Sequence, residues 1–177
     1  MRRLAALIPI GALVVLIMIF AGWSLNRQTH VEPMAMVGKP LPPLQLAPLD
    51  GGAVVPLRSA IKGPALINIF ASWCAPCAEE TPALAALKAE GTPIIGIATR
   101  DAPPAATAFL ARFGNPYQRV LLDRDGRGAI DLGATGVPET LAVDSAGVIR
   151  GKWALPLTAE AAETLLKQAA AGATSPG

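Results

Sequence analysis

Residues 65–77 read ALINIFASWCAPC. The apolar run over residues 65–71 has no polar alternation, the pattern of a strand buried on both faces in a parallel sheet. It stops at Ser72-Trp73, and Cys74-Ala75-Pro76-Cys77 then opens a helix-compatible stretch reaching residue 90. A Cys-x-x-Cys pair between a buried strand and a helix is a redox position. These are the only two cysteines in the chain.

The spacing has a chemical consequence. Three residues apart on the first helical turn, the two sulfurs share a face and can close a small disulfide ring. Cys74 falls at the helix start, where unpaired N–H groups and the macrodipole favour thiolate. Thiolate is the form that attacks a disulfide, through a mixed-disulfide intermediate. Cys74 is therefore expected to be the exposed, attacking sulfur, and Cys77, one turn further in and more buried, the resolving one. The competing readings are a structural disulfide and half of a zinc site. The first would close a very short loop and gain little chain entropy. The second would need ligands that one further His and no further Cys do not supply. No metal and no cofactor are expected.

The formal charge of +2 comes from 15 basic and 13 acidic residues, and Arg2 and Arg3 account for the whole excess. No basic field is left to attract nucleic acid, and no single-sign run occurs. Residues 4–23 form an uncharged apolar stretch of 20 residues, about what a helix needs to cross a bilayer. Arg2 and Arg3 precede it and Trp23 closes it. The positive-inside tendency then exports the remainder, although Arg27 weakens the bias. A cleaved signal peptide is the alternative, but the apolar core is long for one and no Ala-x-Ala site follows. In either case the cysteines lie outside the cytosol, where disulfide chemistry operates.

The chain accordingly divides into an N-terminal transmembrane helix (residues 1–23), a Pro-rich tether (24–43), an α/β domain (44–171) and a fraying tail (172–177). Within the domain, short strands are expected at residues 44–46 and 53–57 around Asp50-Gly51-Gly52. Buried strands follow at 65–71, 94–98 and 119–122. Helices are expected over 74–90, interrupted by Pro82, over a stretch beginning after Pro103-Pro104 and ending at Gly114, and over 129–132. A hairpin over 140–143 and 148–153 precedes a last helix capped by Thr158. Strands alternating with helices, then a hairpin and a closing helix, describe a mixed sheet covered on both faces. Asp123-x-Asp125 suggests a calcium loop, but Arg127 and Ala134 occupy ligand positions and the match fails.

WCAPC, with Pro82 five residues past Cys77 and a late Val137-Pro138, resembles the thioredoxin superfamily. INIFASWCAPCAEETP, GNPY at residues 114–117, DRDGRGAIDLGATGVPET and VDSAGVIRGK narrow the resemblance to the CcmG/DsbE family, over about residues 37–167. The resemblance implies a thioredoxin-like fold, a mixed central β-sheet flanked by helices, behind one N-terminal transmembrane helix. It implies a thiol-disulfide oxidoreductase on the periplasmic side of a bacterial inner membrane. Its partners would be apocytochrome c, or another haem-ligation thiol partner, as the reduced target, and a membrane electron donor of the DsbD/CcdA type.

By motif position, Cys74 and Cys77 match the redox pair, Pro138 a cis proline, and Glu80 and Glu139 the family's acids. Without the resemblance, Val-Pro is as compatible with an ordinary trans turn. If the bond is cis and faces the cysteines, Val137 offers its backbone to an extended substrate, as an added strand does. The sequence departs from the family at Ala78, Thr81 and residues 99–101, which bears on substrate preference. The alternatives are an anchored reductase of the ResA or TlpA type with another target, and an assembly factor that binds apocytochrome without turnover.

Glu80 lies one turn beyond Cys77 on its helix, and Glu139 is expected to approach if Val137-Pro138 faces the cysteines. A carboxylate beside a thiolate disfavours that charge and makes the couple more reducing. A plainer role for Glu79 and Glu80 is to complement a helix N-terminus. Trp73 is expected to pack beside the disulfide and shield it, or else to fill the strand end.

Overall fold

The computed structural model describes residues 11, 13–20, 34 and 36–172. The chain divides into two compact units, Met1–Glu32 and Pro33–Gly177. In the first, the described residues are helical, and residues 13–20 expose large apolar side chains. The rest of the apolar stretch over residues 4–23 lies outside the described residues. No described helix is long and apolar enough to cross a membrane.

The second unit runs β1 (Gln45–Pro48), β2 (Val55–Pro56), a 3-10 turn (Leu57–Ala60), β3 (Ala65–Phe70), α1 (Ala75–Ala89), β4 (Ile94–Thr99), α2 (Pro103–Phe113), β5 (Arg119–Asp123), α3 (Arg127–Asp131), β6 (Glu139–Val143), β7 (Ile149–Trp153) and α4 (Ala159–Gly172). One sheet orders the strands β2-β1-β5-β4-β3-β6-β7. β3, β4 and β5 are parallel, and β1, β6 and β7 run against their neighbours. All six residues of β3 and of β4 are buried, as strands covered on both faces require, with Asn68 and Thr99 the polar members.

Alternation along β3 sorts two cores. Leu66 and Phe70 face one side with Leu84 of α1, Phe109 of α2 and Leu165 of α4. Ile67 and Ile69 face the other with Leu57, Ala129 of α3 and Leu132. Both cysteines belong to the first side.

Two expectations need adjustment. α2 begins at Pro103, not after Pro104, because the first helical positions have no partner for an N–H and lose nothing to proline. Residues 36–43, expected in the tether, join the folded unit. Gly38 N–H donates to Ile149 O at 2.7 Å, Ile149 N–H to Lys39 O at 2.9 Å, and Leu41 N–H to Gly147 O at 2.8 Å. Met36, Val37 and Leu41 pack on the second core. β7 lies at the edge of the sheet, and this segment, with Pro40 bridged to Val148, covers the start of it.

Candidate active site

β3 ends at Phe70, and residues 71–74 carry the chain from the sheet into α1. Asp101, just past β4, holds this bend. Its Oδ2 accepts the Ser72 N–H at 2.6 Å and its Oδ1 the Ser72 hydroxyl at 2.8 Å and the Ala102 N–H at 2.9 Å. Cys74 is the N-cap of α1, in extended conformation. Pro76 has no N–H, so the cap must serve the next donor, and the Cys77 N–H points at Cys74 Sγ at 3.2 Å. The two cysteines are joined in a disulfide, with Cα atoms 5.4 Å apart.

The helix start fits the expectation for Cys74, but its exposure does not. Cys74 is 5% exposed and Cys77 2%. Both sulfurs sit in the edge of the first core, so Cys74 is the more accessible only by a margin. The expected shield is mostly open to solvent. Trp73 is 61% exposed and donates its Nε1–H to Arg100 O at 3.2 Å. The indole instead lines a shallow groove with Thr99, Arg100, Ile130, Thr135 and Val137. The Val137–Pro138 peptide bond is cis. Val137 packs against both cores, the one that contains the cysteines and the one on the other side of the sheet.

The two acids part company. Glu80 is buried on the cysteine face, with Oε1 accepting Asn68 Nδ2–H and Oε2 accepting the Leu157 N–H, both at 2.8 Å. Burial pushes its carboxyl above the ordinary value of 4.5, while the Asn68 and Leu157 donors pull it partly back. A helix-terminus role alone does not explain a side chain so deeply enclosed.

Glu139 does not approach the cysteines. It stands opposite Ile69 in the β3–β6 register, and antiparallel partners point to the same face, here that of the second core. Its Oε2 accepts the Thr135 N–H at 3.0 Å and the Thr135 hydroxyl at 3.1 Å. Lys152 Nζ lies 2.7 Å from Oε1, both side chains being almost fully buried. That contact is an ion pair whose angles fall outside those of a hydrogen bond. Lys152 also donates to Gly133 O at 2.5 Å. Glu139 thus clamps the loop leading to Pro138 from behind. The expectation failed by one position of strand parity: Thr140, its neighbour, is the β6 residue that faces the site.

Lys152 and Tyr117 are residues for which the sequence suggested no function, and for Asp101 it suggested a bearing on substrate preference rather than its hold on the Ser72 bend. Tyr117 stood inside a motif that carried the resemblance, but nothing in its spacing revealed a polar task. Arg100 is the one described non-glycine residue at positive φ, 48°.

A Cys-x-x-Cys disulfide at a helix start and a cis proline just before β6, on a sheet with a parallel centre, place the chain among the thioredoxin-fold thiol-disulfide oxidoreductases. Comparison with known proteins agrees. The Redoxin family matches residues 36–166. The thiol:disulfide interchange protein HelX of Rhodobacter capsulatus is 42% identical over 146 residues, covering 78% of this chain and 80% of that protein. The thiol:disulfide interchange protein DsbE of Pseudomonas fluorescens is 37% identical over 153 residues, 86% of this chain and 85% of that protein. A secreted disulfide oxidoreductase of Mycobacterium tuberculosis superposes with a TM-score of 0.59 at 24% identity, covering 73% of this chain and 96% of that one, which supports the fold. The chain belongs to the DsbE family of thiol:disulfide interchange proteins.

Proposed function

We propose that the protein is a reductant held at the outer face of a bacterial inner membrane by residues 1–23, and that it reduces the haem-binding cysteines of apocytochrome c. The observation that carries the redox direction is Glu80, a buried carboxyl one helical turn from Cys77. Carboxylate charge there opposes thiolate, and a less stable dithiolate gives up its electrons more readily. The Cys77 N–H at Cys74 Sγ pulls locally the other way and reserves what thiolate there is for Cys74.

In the reduced protein, Cys74 thiolate attacks one sulfur of the substrate disulfide. A mixed disulfide forms and the second substrate sulfur leaves as thiolate. Cys77, deprotonated in turn, attacks Cys74 Sγ. The first substrate sulfur leaves, the Cys74–Cys77 disulfide forms, and two electrons have passed to the substrate. A dithiol donor in the membrane, of the DsbD/CcdA kind, returns them by the reverse exchange. An extended substrate lies along Val137 and in the groove beside Trp73, with Pro138 holding the Val137 backbone toward it.

Replacing Cys77 with Ser removes the resolving sulfur. Cys77→Ser is expected to accumulate a mixed disulfide through Cys74 with a c-type apocytochrome, identified by mass spectrometry of the non-reduced adduct. An adduct with an unrelated protein would favour a ResA- or TlpA-like target. Non-covalent binding without any adduct would favour an assembly factor and overturn the redox assignment.

A further inference from the structure

Glu80 is held by a side chain that is itself held. Asn68 has three polar valences pointing at three partners. Its Nδ2 donates to Glu80 Oε1 at 2.8 Å and to Thr140 Oγ1 at 3.0 Å, and its Oδ1 accepts the Tyr117 hydroxyl at 2.7 Å. An amide can occupy such a slot in two orientations related by a half-turn. Turned over, Oδ1 would face a carboxylate oxygen, tolerable only if Glu80 carried a proton to donate. The orientation of Asn68 and the charge of Glu80 are therefore linked: a carboxylate only accepts and so selects the Nδ2 side, and the phenol holds the amide there by donating to Oδ1.

The Tyr117 hydroxyl is equipped for that part. Burial first, and Glu80 second, push the phenol well above 10, so it remains a donor at every pH where thiols titrate. Its ring is seated tightly. Phe70 stacks on it with ring centroids 4.9 Å apart. Gly96 leaves the space on the other side, since a Cβ there would fall 2.7 Å from Tyr117 Cγ. Asn115 Oδ1 accepts the Tyr117 N–H at 3.0 Å and turns the residue inward.

We infer that Tyr117 is a positioning residue for the thiol pair: through its hydrogen bond to Asn68 Oδ1 it aims Nδ2 at Glu80 and keeps that carboxylate one turn from Cys77. The inference rests on the reading of Glu80 given above. The groups bonded to Glu80 are Asn68 of β3, the Leu157 N–H ahead of α4 and, through Asn68, Thr140 of β6 and Tyr117; Cys77 precedes it by one turn on the same helix. Cys77 and Tyr117 are the titratable members.

The test uses the reduced full chain and two near-isosteric variants. Tyr117→Phe deletes the proton offered to Oδ1, and Thr140→Val deletes the acceptor of the second Nδ2 hydrogen while leaving the Tyr117 bond to Oδ1 in place. Glu80 is titrated by carbon-13 NMR, and the thiols by thiolate absorbance against pH. With Oδ1 no longer held, Nδ2 should slip from Glu80, and the weakened bond to the carboxylate should raise the Glu80 midpoint by about one pH unit in Tyr117→Phe. The thiolate profile should move down in the same variant, and Thr140→Val should leave both within a few tenths of a unit. A Glu80 midpoint unmoved by Tyr117→Phe, or moved equally by Thr140→Val, overturns the inference, because general loosening of the network would act alike in both. Failure of the Glu80 reading looks different: Glu80→Gln then leaves the thiolate profile unmoved, and Tyr117 has no charge to aim, which overturns the inference as well.

Discussion

At the scale of single residues, Glu80 is an acid whose surroundings change its titration. Burial raises its carboxyl above 4.5 in the folded chain, with Asn68 and Leu157 opposing. The folded state therefore keeps a proton that the unfolded chain has begun to release. Such a group favours folding fully below the unfolded value and loses that contribution as pH rises through the folded one. Wild type should thus lose stability relative to Glu80→Gln as pH rises from 4.5 upward, read by urea unfolding of the oxidised forms at matched pH. Parallel stability curves would contradict the assignment. At this scale the sequence was legible where covalent spacing alone settled the matter. Cys74 and Cys77 could be assigned because three residues on a first helical turn leave one arrangement. Glu139 could not, because strand parity turns on one residue of register. Trp73 could not either, because its partner, the Arg100 carbonyl, is 27 residues away.

At the scale of elements, the site is a junction held by side chains at its back. Asp101 ties the β3–α1 bend to α2, and Asp101→Ala strands the Ser72 and Ala102 N–H groups. We expect a loss of about 2 kcal/mol in urea unfolding and a weaker grip on the Trp73 segment. Lys152 and Glu139 tie β6 and β7 to the loop before Pro138. Removing one member buries a lone charge: Lys152→Met should cost roughly 3–5 kcal/mol, and adding Glu139→Gln should restore most of it. A double variant as unstable as Lys152→Met would show that the loop, not the charge pair, sets the cost. The strands and helices were legible to within a residue or two, since buried apolar runs and proline positions mark them directly. The docking of residues 36–43 was hidden, because prolines at 40, 42 and 43 imitate a tether when the edge they cover is out of view.

For the molecule as a whole, the reading joins an apolar N-terminal stretch to a reducing domain. The full chain is expected to stay with bacterial membranes through an alkaline carbonate wash, and release into the supernatant would contradict the proposed anchor. Departures from the family at residues 99–101 surround the groove: Arg100 lines it and Asp101 anchors the bend beside it. The whole account depends on the sulfur at the start of α1 being the one that reacts. Limited alkylation of the reduced full chain with iodoacetamide, followed by peptide mapping, tests this most directly. Cys74 should be modified well before Cys77 at every pH below that of free thiols. Modification of Cys77 first would contradict it.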